Sequence, residues 1–478
     1  MGLGLLILTA VGKENIYLNI EPEITFFKKN YKRYTNFSIE AIPQYFKTTP
    51  DFGKKCSVII SKNADLMSSS YLYVELPNLF SDKYIKWVDK IGLALINYIE
   101  IEIEGNIIDK HYGEWLNIWH ELTITKNHRK SYDAMIGNIP MLTSYSYKKA
   151  SYKLYIPLCF WFCNHTNLSL PLISLTNSDI IINVVFNNFD YCYNIKPSHY
   201  ITINEYICCF TENEIITQIF QNKEITSMFV SFDPIMQRLY YNPIKDSFNI
   251  PQSIDEIQLK QIIGTVSNLI VTIQINSNIV TNTDTLIYNK PSLLNAYLLI
   301  NYIYLDNYER LQFINNDHEY IIPIIQTLPE QMMYSLNNTY KLPLTNLITL
   351  LVWRCILKYN NTINIHFNYN NNIITNTTIV INSINRMDLT DINYYSLIQQ
   401  YQYKFNYVNN IYMYSFALYP KYSYPSGSLN FSKVNDAYLH ITINNSINYQ
   451  NPISFRCYAI QYNILYISKG IAGLKFIL

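Results

Sequence analysis

Three glutamates, Glu100, Glu102 and Glu104, alternate along the stretch NYIEIEIEGNIIDKHYGEWLNIWHEL (97–122). Paired carboxylates can act as acid and base in glycoside cleavage, but such groups must flank a bond across a cleft and normally come from separate elements. Neighbours on one face of one strand read instead as a solvated face. The eight histidines (His111, His120, His128, His165, His199, His318, His366, His440) stand far apart, and none has a second ligand at metal spacing. The eight cysteines (Cys56, Cys159, Cys163, Cys192, Cys208, Cys209, Cys355, Cys457) include no CxxC pair and read as buried thiols of a reducing compartment. Phosphate-loop, nucleophile-elbow and zinc-helix motifs are all missing. The expectation is a chain with no catalytic residue, no cofactor-binding residue and no metal ligand: not an enzyme.

A second chemistry is suggested by ITFFKKNYKRYTNFSIE (24–40), where Lys28, Lys29, Lys32 and Arg33 interleave with Phe26, Phe27, Tyr31, Tyr34 and Phe37. Cations among aromatics can bind nucleic acid. The whole chain carries 36 basic and 35 acidic residues, a net charge of +1, so no global field draws a polyanion. An entry segment whose aromatics pack while its cations stay in water is the simpler expectation.

The elements behind these residues are mostly strands. Ile99, Ile101 and Ile103 alternate with the glutamates, which predicts a strand with a buried and a wet face. Gly105-Asn106 suits a two-residue hairpin turn with glycine first, as in type II′. Trp115, Leu116, Trp119 and Leu122 then fall at helical spacing, predicting a short helix that packs the hairpin. Strand-like runs precede this nucleus at 56–61 and 71–76, with a polar join over Lys62–Ser70. Residues 126–147 read as loop, and 152–162 as a strand on which Cys159, Trp161 and Cys163 share one core face by alternation. Further strands are predicted at 179–186, 199–210, 266–275, 293–313 (with a charged close at Asp306, Glu309 and Arg310) and 318–326. The last third adds 347–357, 362–367, 377–384, 411–418, 437–443 and 453–467. Many short strands separated by turns mark a sandwich or jelly roll.

Composition agrees. At 478 residues the chain exceeds one ordinary core. Hydrophobic residues make up 49% and charged residues 15%, with only 12 glycines, which describes a packed protein and not a disordered one. The 45 tyrosines suit sheets and large contact surfaces, although Asn, Ile, Tyr and Lys enrichment also follows from AT-rich codons. The apolar run Gly2–Gly12 is too short to span a bilayer and lacks a basic flank, so neither a transmembrane segment nor a secretory signal is expected. Asn-X-Ser/Thr triplets at Asn36, Asn164, Asn167, Asn337, Asn360, Asn376, Asn430 and Asn444 are what chance provides in so asparagine-rich a chain.

Several of these stretches, in order, resemble the major capsid proteins of nucleocytoplasmic large DNA viruses, the double jelly-roll family of mimivirus-like and phycodnavirus-like capsids. They are Gly4-Leu5-Leu6 with Tyr17-Leu18, 24–40, IEIEGNIIDKHYGEW (101–115), LPLISL (170–175) and NYIYLDNYERLQF (301–313). HEY (318–320), IYMYSFAL (411–418), PSGSLNFSKVNDAYL (425–439) and YAIQYNILYISKGIAGL (458–474) follow. Two departures, at Asn385-Arg386-Met387-Asp388 and at the ending Gly470–Lys475, leave room for a divergent, minor or specialised paralogue.

The resemblance implies an all-β chain of two tandem eight-stranded jelly rolls with short helices in loops. Its divisions would be an N-terminal arm (1–23), a first roll (24–315) with an insertion at about 187–292, and a second roll (316–478). It also implies a homotrimeric, pseudo-hexagonal capsomer in an icosahedral shell, contacting neighbouring capsomers and minor capsid proteins beneath, with no specific nucleic acid as partner. The virion would be its location and the host cytoplasm its place of assembly. Two readings of other classes stand beside it: a carbohydrate-binding or carbohydrate-cleaving β-sandwich, and a nucleic-acid-binding shell component using Lys28–Arg33.

Overall fold

The computed structural model describes residues 3–476 except 30, 196–198, 206–207, 209, 211–213, 221–222, 234–236, 246–247, 252–260, 276–279, 282–289, 358–363, 365, 368, 370–372, 387–390 and 445–452. The strand periodicity of the sequence resolves into sixteen principal strands in two sets of eight. The first set is β1 (Phe37–Tyr45), β2 (Lys55–Ile59), β3 (Leu66–Leu76), β4 (Ile96–Ile103), β5 (Asn106–Tyr112), β6 (Tyr152–Pro157), β7 (Ile180–Phe186) and β8 (Asn295–Leu305). They form two antiparallel sheets ordered β1-β8-β3-β6 and β2-β7-β4-β5. The second set is β9 (His318–Thr327), β10 (Asn337–Lys341), β11 (Leu347–Leu357), β12 (Ile374–Ile381), β13 (Ile384–Asn385), β14 (Ile411–Ser415), β15 (Ala437–Ile443) and β16 (Ile453–Ser468). Its sheets run β9-β16-β11-β14 and β10-β15-β12-β13, the same order shifted by eight. Each set is therefore an eight-stranded jelly roll, and the fold is all-β with two rolls in tandem.

The alternation that builds each sandwich is plain along β8, where Ala296, Leu298, Ile300 and Tyr302 enter the first core and the residues between them face outward. The two cores are not independent. Ile322 and Ile324 of β9 and Leu465 and Ile467 of β16 complete the core of the first roll, while Ile348, Leu351, Trp353 and Cys355 of β11 build the second. Between β7 and β8, strands from His199 to Thr281 form a seven-stranded sheet over its own apolar cluster, which includes Ile201, Phe229, Leu239 and Tyr241.

Several sequence expectations are corrected. The β4–β5 turn is Glu104-Gly105, since Ile103 pairs with Asn106, and both turn residues have positive φ (52° and 79°). That is the requirement of type I′, whose twist matches the flanking strands. The polar join at 62–70 supplies the first half of β3, because Leu66 and Met67 are buried. The strand expected over 152–162 stops at Pro157; Trp161–Asn164 is a helical turn, so Cys159, Trp161 and Cys163 share no strand face. Residues 126–147 hold helices at Arg129–Met135 and Pro140–Thr143, and Asn307–Asn315 is a helix capped by Asp306, whose side chain accepts from the Glu309 amide. The run 266–275 contributes only Ile270–Thr272, and 411–418 ends at Ser415. Of the strand expected over 362–367 only Asn364, His366 and Phe367 are described, and they form turns, with positive φ at Asn364 (55°) and Phe367 (60°); the other three, with Cys209, Met387 and Asp388, lie outside the described residues.

Candidate functional site

The elements that join the two rolls converge on α1 (Gly113–Thr123), which leaves the end of β5. Its first residue has to be glycine: a Cβ at Gly113 would stand 2.3 Å from the Leu93 carbonyl oxygen and 2.4 Å from that of Ile96. From this seat Leu116 turns into the first core, with Trp119 partly buried against it. Trp115, Ile118 and Leu122, at i, i+3 and i+7, turn the other way and bury themselves on the outer face of the β9-β16-β11-β14 sheet. The Trp115 ring packs 5.1 Å from Tyr458 of β16. The helix expected to pack its own hairpin is thus mainly the plug between the rolls.

The alternation of β11 explains the rest. Leu351, Trp353 and Cys355 face the second core; Leu350, Val352 and Ile356 face α1, and so does Arg354, which is 3% exposed. A guanidinium sealed among apolar side chains must be neutralised where it stands. Arg354 donates from Nε to Glu114 Oε1 (2.5 Å) and from Nη2 to Glu114 Oε2 (2.8 Å), and its Nη1 donates to the Ser454 carbonyl oxygen (2.8 Å). Arg456 Nη1 reaches the same Glu114 carboxylate at 3.2 Å, Tyr458 OH donates to it at 2.7 Å, and Glu330 closes the cluster 3.4 Å from Arg354 and 3.7 Å from Arg456. Two arginines and two glutamates leave the group neutral. Burial, the largest single influence, pushes the Glu114 carboxyl upward, but Arg354, Arg456 and Tyr458 together outweigh it and hold Glu114 below the ordinary value of 4.5.

A cavity of about 210 Å³ adjoins the cluster, walled also by Tyr191 and His366. His366 stacks on Tyr191 at 3.7 Å and donates from Nε2 to its carbonyl oxygen at 2.8 Å; burial drives its pKa down to about 4. Glu114 and Glu330 are the sort of carboxylate pair a glycosidase would use, yet a general acid needs a raised pKa. Glu114 has a lowered one, and both carboxylates are tied to arginines. This chemistry is adhesion between the rolls.

The glutamates singled out in the sequence lie elsewhere. Glu100 is not wet: it is 3% exposed, paired with Lys55 (3.2 Å) and accepting from Asn183 Nδ2 (3.2 Å). Glu102 accepts from the same Asn183 amide, and Glu104 from Ser178 Oγ at 2.6 Å. The three pin β4 to β7 and to the loop before it. The structure also brings together a pair hidden by sequence distance, Cys159 Sγ and His120 Nε2, at 3.2 Å. Burial raises the thiol and lowers the imidazole to about 4, so both stand neutral, the opposite of a thiolate–imidazolium nucleophile. Among the described residues no three metal-binding side chains gather, and no helix is long and apolar enough to cross a membrane. Lys28, Lys29, Lys32 and Arg33 are exposed together with Phe26, Phe27, Tyr31 and Tyr34, so the aromatics expected to pack do not do so within one chain.

Residues 25–222 match the family model described as major capsid protein N-terminus, and residues 309–473 match that of the large eukaryotic DNA virus major capsid protein. The chain is 35% identical to Probable capsid protein 4 of Acanthamoeba polyphaga mimivirus, over 99% of both chains, and 27% identical to the major capsid protein of Phaeocystis pouchetii virus, again over 99% of both. Among solved structures it superposes on PBCV-1 VP54 with a TM-score of 0.67 at 20% identity, covering 95% of this chain and 100% of the other. On the Faustovirus major capsid protein the TM-score is 0.68 at 11% identity, covering 96% and 94%. At such identities the structural likeness speaks for the fold.

Proposed function

The chain belongs to the major capsid protein family of large eukaryotic DNA viruses, and on that footing we propose that it is a shell subunit, three copies of which close into a pseudo-hexagonal capsomer of an icosahedral virion. It is a structural protein, not an enzyme. The observation that carries the proposal is the duplication: two rolls of identical strand order, welded by α1 and a buried neutral ion cluster into one rigid block. Such a block offers two copies of one shape per chain, so a threefold ring of chains approximates sixfold symmetry and can sit on a hexagonal lattice.

The divisions proposed are an arm at 1–23, a first roll at 24–315 carrying an insertion at about 187–292, and a second roll at 316–478. In support, the strands of the first roll lie between Phe37 and Leu305, those of the second between His318 and Ser468, and the 199–281 sheet has a core of its own. Neighbouring capsomers and minor proteins under the shell are the proposed partners, and the host cytoplasm the proposed place of assembly. Native mass spectrometry of the purified chain should give three times the 56.3 kDa chain mass, and labelling of purified particles should place it in the shell. A monomer that binds a glycan array, absent from particles, would overturn the proposal in favour of a carbohydrate-binding sandwich.

A further inference from the structure

Within the chain, the outer face of the β9-β16-β11-β14 sheet is covered by α1 of the first roll. Among the described residues the corresponding face of the first roll, on β1-β8-β3-β6, has no such cover, and it carries a row of tyrosines, one from each strand. Tyr45 pairs with Tyr297, Tyr297 with Tyr73, and Tyr73 with Tyr155, with ring centroids 5.6, 4.4 and 5.1 Å apart. Their strand neighbours Leu72, Val74 and Leu298 point into the core, so the row points out of it. The ends of the row are open, Tyr45 at 66% and Tyr155 at 37%, while Tyr297 is half-buried and Tyr73, between its neighbours' rings, is 5% exposed. The row on one side, Pro43, Leu299, Tyr71 and Pro157, is uncharged, while the row on the other side carries Asn295, Glu75 and Lys153, and Tyr73 OH donates to Glu75 at 3.4 Å. An aromatic patch of this kind on a sheet face marks an interaction surface.

The element that fits it is on the second roll. In the first roll α1 lies between the fifth and sixth strands. The same interval of the second roll, between β13 and β14, holds the continuous helical run Tyr394–Ile398 and Gln399–Gln402. Tyr395 anchors this run in the second core, while Leu397, Ile398 and Tyr401 stand out from it. No charged residue occurs from Ile392 to Tyr403. In α1 the equivalent outward residues, Trp115, Ile118 and Leu122, are buried because a sheet lies on them. The helix without a sheet and the sheet without a helix are topological counterparts of a pair already joined within the chain.

We propose that Leu397, Ile398 and Tyr401 of one copy seat on the tyrosine row of a second copy, repeating between chains the contact that α1 makes inside one. The occupant is a second copy of this chain because the covered face of the second roll shows what such a sheet accepts: an apolar helix leaving the end of the fifth strand of the adjacent roll. The inference rests on the threefold reading above. Three copies present six rolls, and three internal contacts alternate with three between copies, so the head-to-tail contact closes into a ring.

The test compares the native mass of the wild-type chain with that of Leu397→Asp/Tyr401→Asp and of Tyr45→Asp/Tyr155→Asp. Circular dichroism and thermal melting establish that each variant folds. Both charged variants should dissociate at concentrations at least about tenfold above wild type, since buried aromatic anchors dominate such contacts. Mixing Tyr45→Cys chains with Tyr401→Cys chains should yield bismaleimide-linked pairs above the wild-type background. Trimers of wild-type affinity in both charged variants, or no added cross-linking, would overturn this contact while leaving the capsomer proposal intact. A wild-type chain that stays monomeric would overturn both. Intact trimers in which the row captures a different protein would assign the surface to that protein and overturn this contact.

Discussion

Arg354 in β11 of the second roll and Glu114 at the start of α1 in the first face each other as a two-bonded pair inside the protein, 3% and 12% exposed at their side chains. Breaking a buried pair leaves one charge without compensation, at a cost of about 3–5 kcal/mol, whereas removing both partners together can be nearly neutral. Arg354→Met should therefore lose stability on that scale. Adding Glu114→Gln, which leaves Arg456 and Glu330 as a neutral pair 3.7 Å apart, should restore most of it in urea titrations. A single variant within about 1 kcal/mol of wild type would mean the cluster does not hold the rolls together.

Trp115 tests the apolar half of the same joint. It is fully buried between α1 and β16, in a cluster distinct from either roll's own core. Trp115→Ala should cost about 3–5 kcal/mol, as large-to-small changes at such sites do. Because the lost contacts lie between the rolls, the unfolding transition should also broaden or split, observable by calorimetry. A sharp, unshifted transition would count against this joint.

Acid should weaken the protein in two overlapping windows. His120 and His366 titrate near 6.5 when unfolded and at about 4 when folded, because burial disfavours the imidazolium. Between those values the unfolded chain binds more protons, so their contribution is complete above 6.5 and is lost as pH falls toward 4. Glu114 has its folded value held below 4.5, so its contribution is present above 4.5 and is lost as pH falls through the folded value. His366→Gln should flatten the upper part of the stability profile and Glu114→Gln the lower part. Identical profiles for wild type and both variants would refute these assignments.

How far these features were legible in the sequence depends on where their partners lie. The alternation of Ile99, Ile101 and Ile103 and the helical spacing from Trp115 to Leu122 are local, and both elements form as their period requires. The burial of Glu100 was not legible, because Lys55 and Asn183 reach it from strands 45 and 83 residues away. Nor was the pairing of α1 with β11 and β16, whose Arg354 and Tyr458 lie 240 and 344 residues beyond Glu114. A signal for that joint did exist. Arg354 is the one charge in LITLLVWRCIL, and a cation in a strand apolar on both faces needs a carboxylate from outside its sheet. The tyrosine row was invisible for the opposite reason: Tyr45, Tyr73, Tyr155 and Tyr297 are scattered among 45 tyrosines, and only the strand register aligns them.

The arm separates folding from assembly. The helix Leu3–Thr9 buries none of its residues, and Phe26 and Phe27 are 92% and 98% exposed. An apolar segment held in water costs free energy unless something covers it in the working state. Removing Met1–Glu23 takes none of the described residues of the hydrophobic cores, so the shortened chain should melt within a few degrees of the full one and still form trimers. If the arm meets its cover beneath the shell, those trimers should fail to tile, scored by electron microscopy of assembly reactions or of particles built from the truncated chain. Shells of normal size and yield from the truncated protein would show that the arm's apolar surface serves no part of assembly.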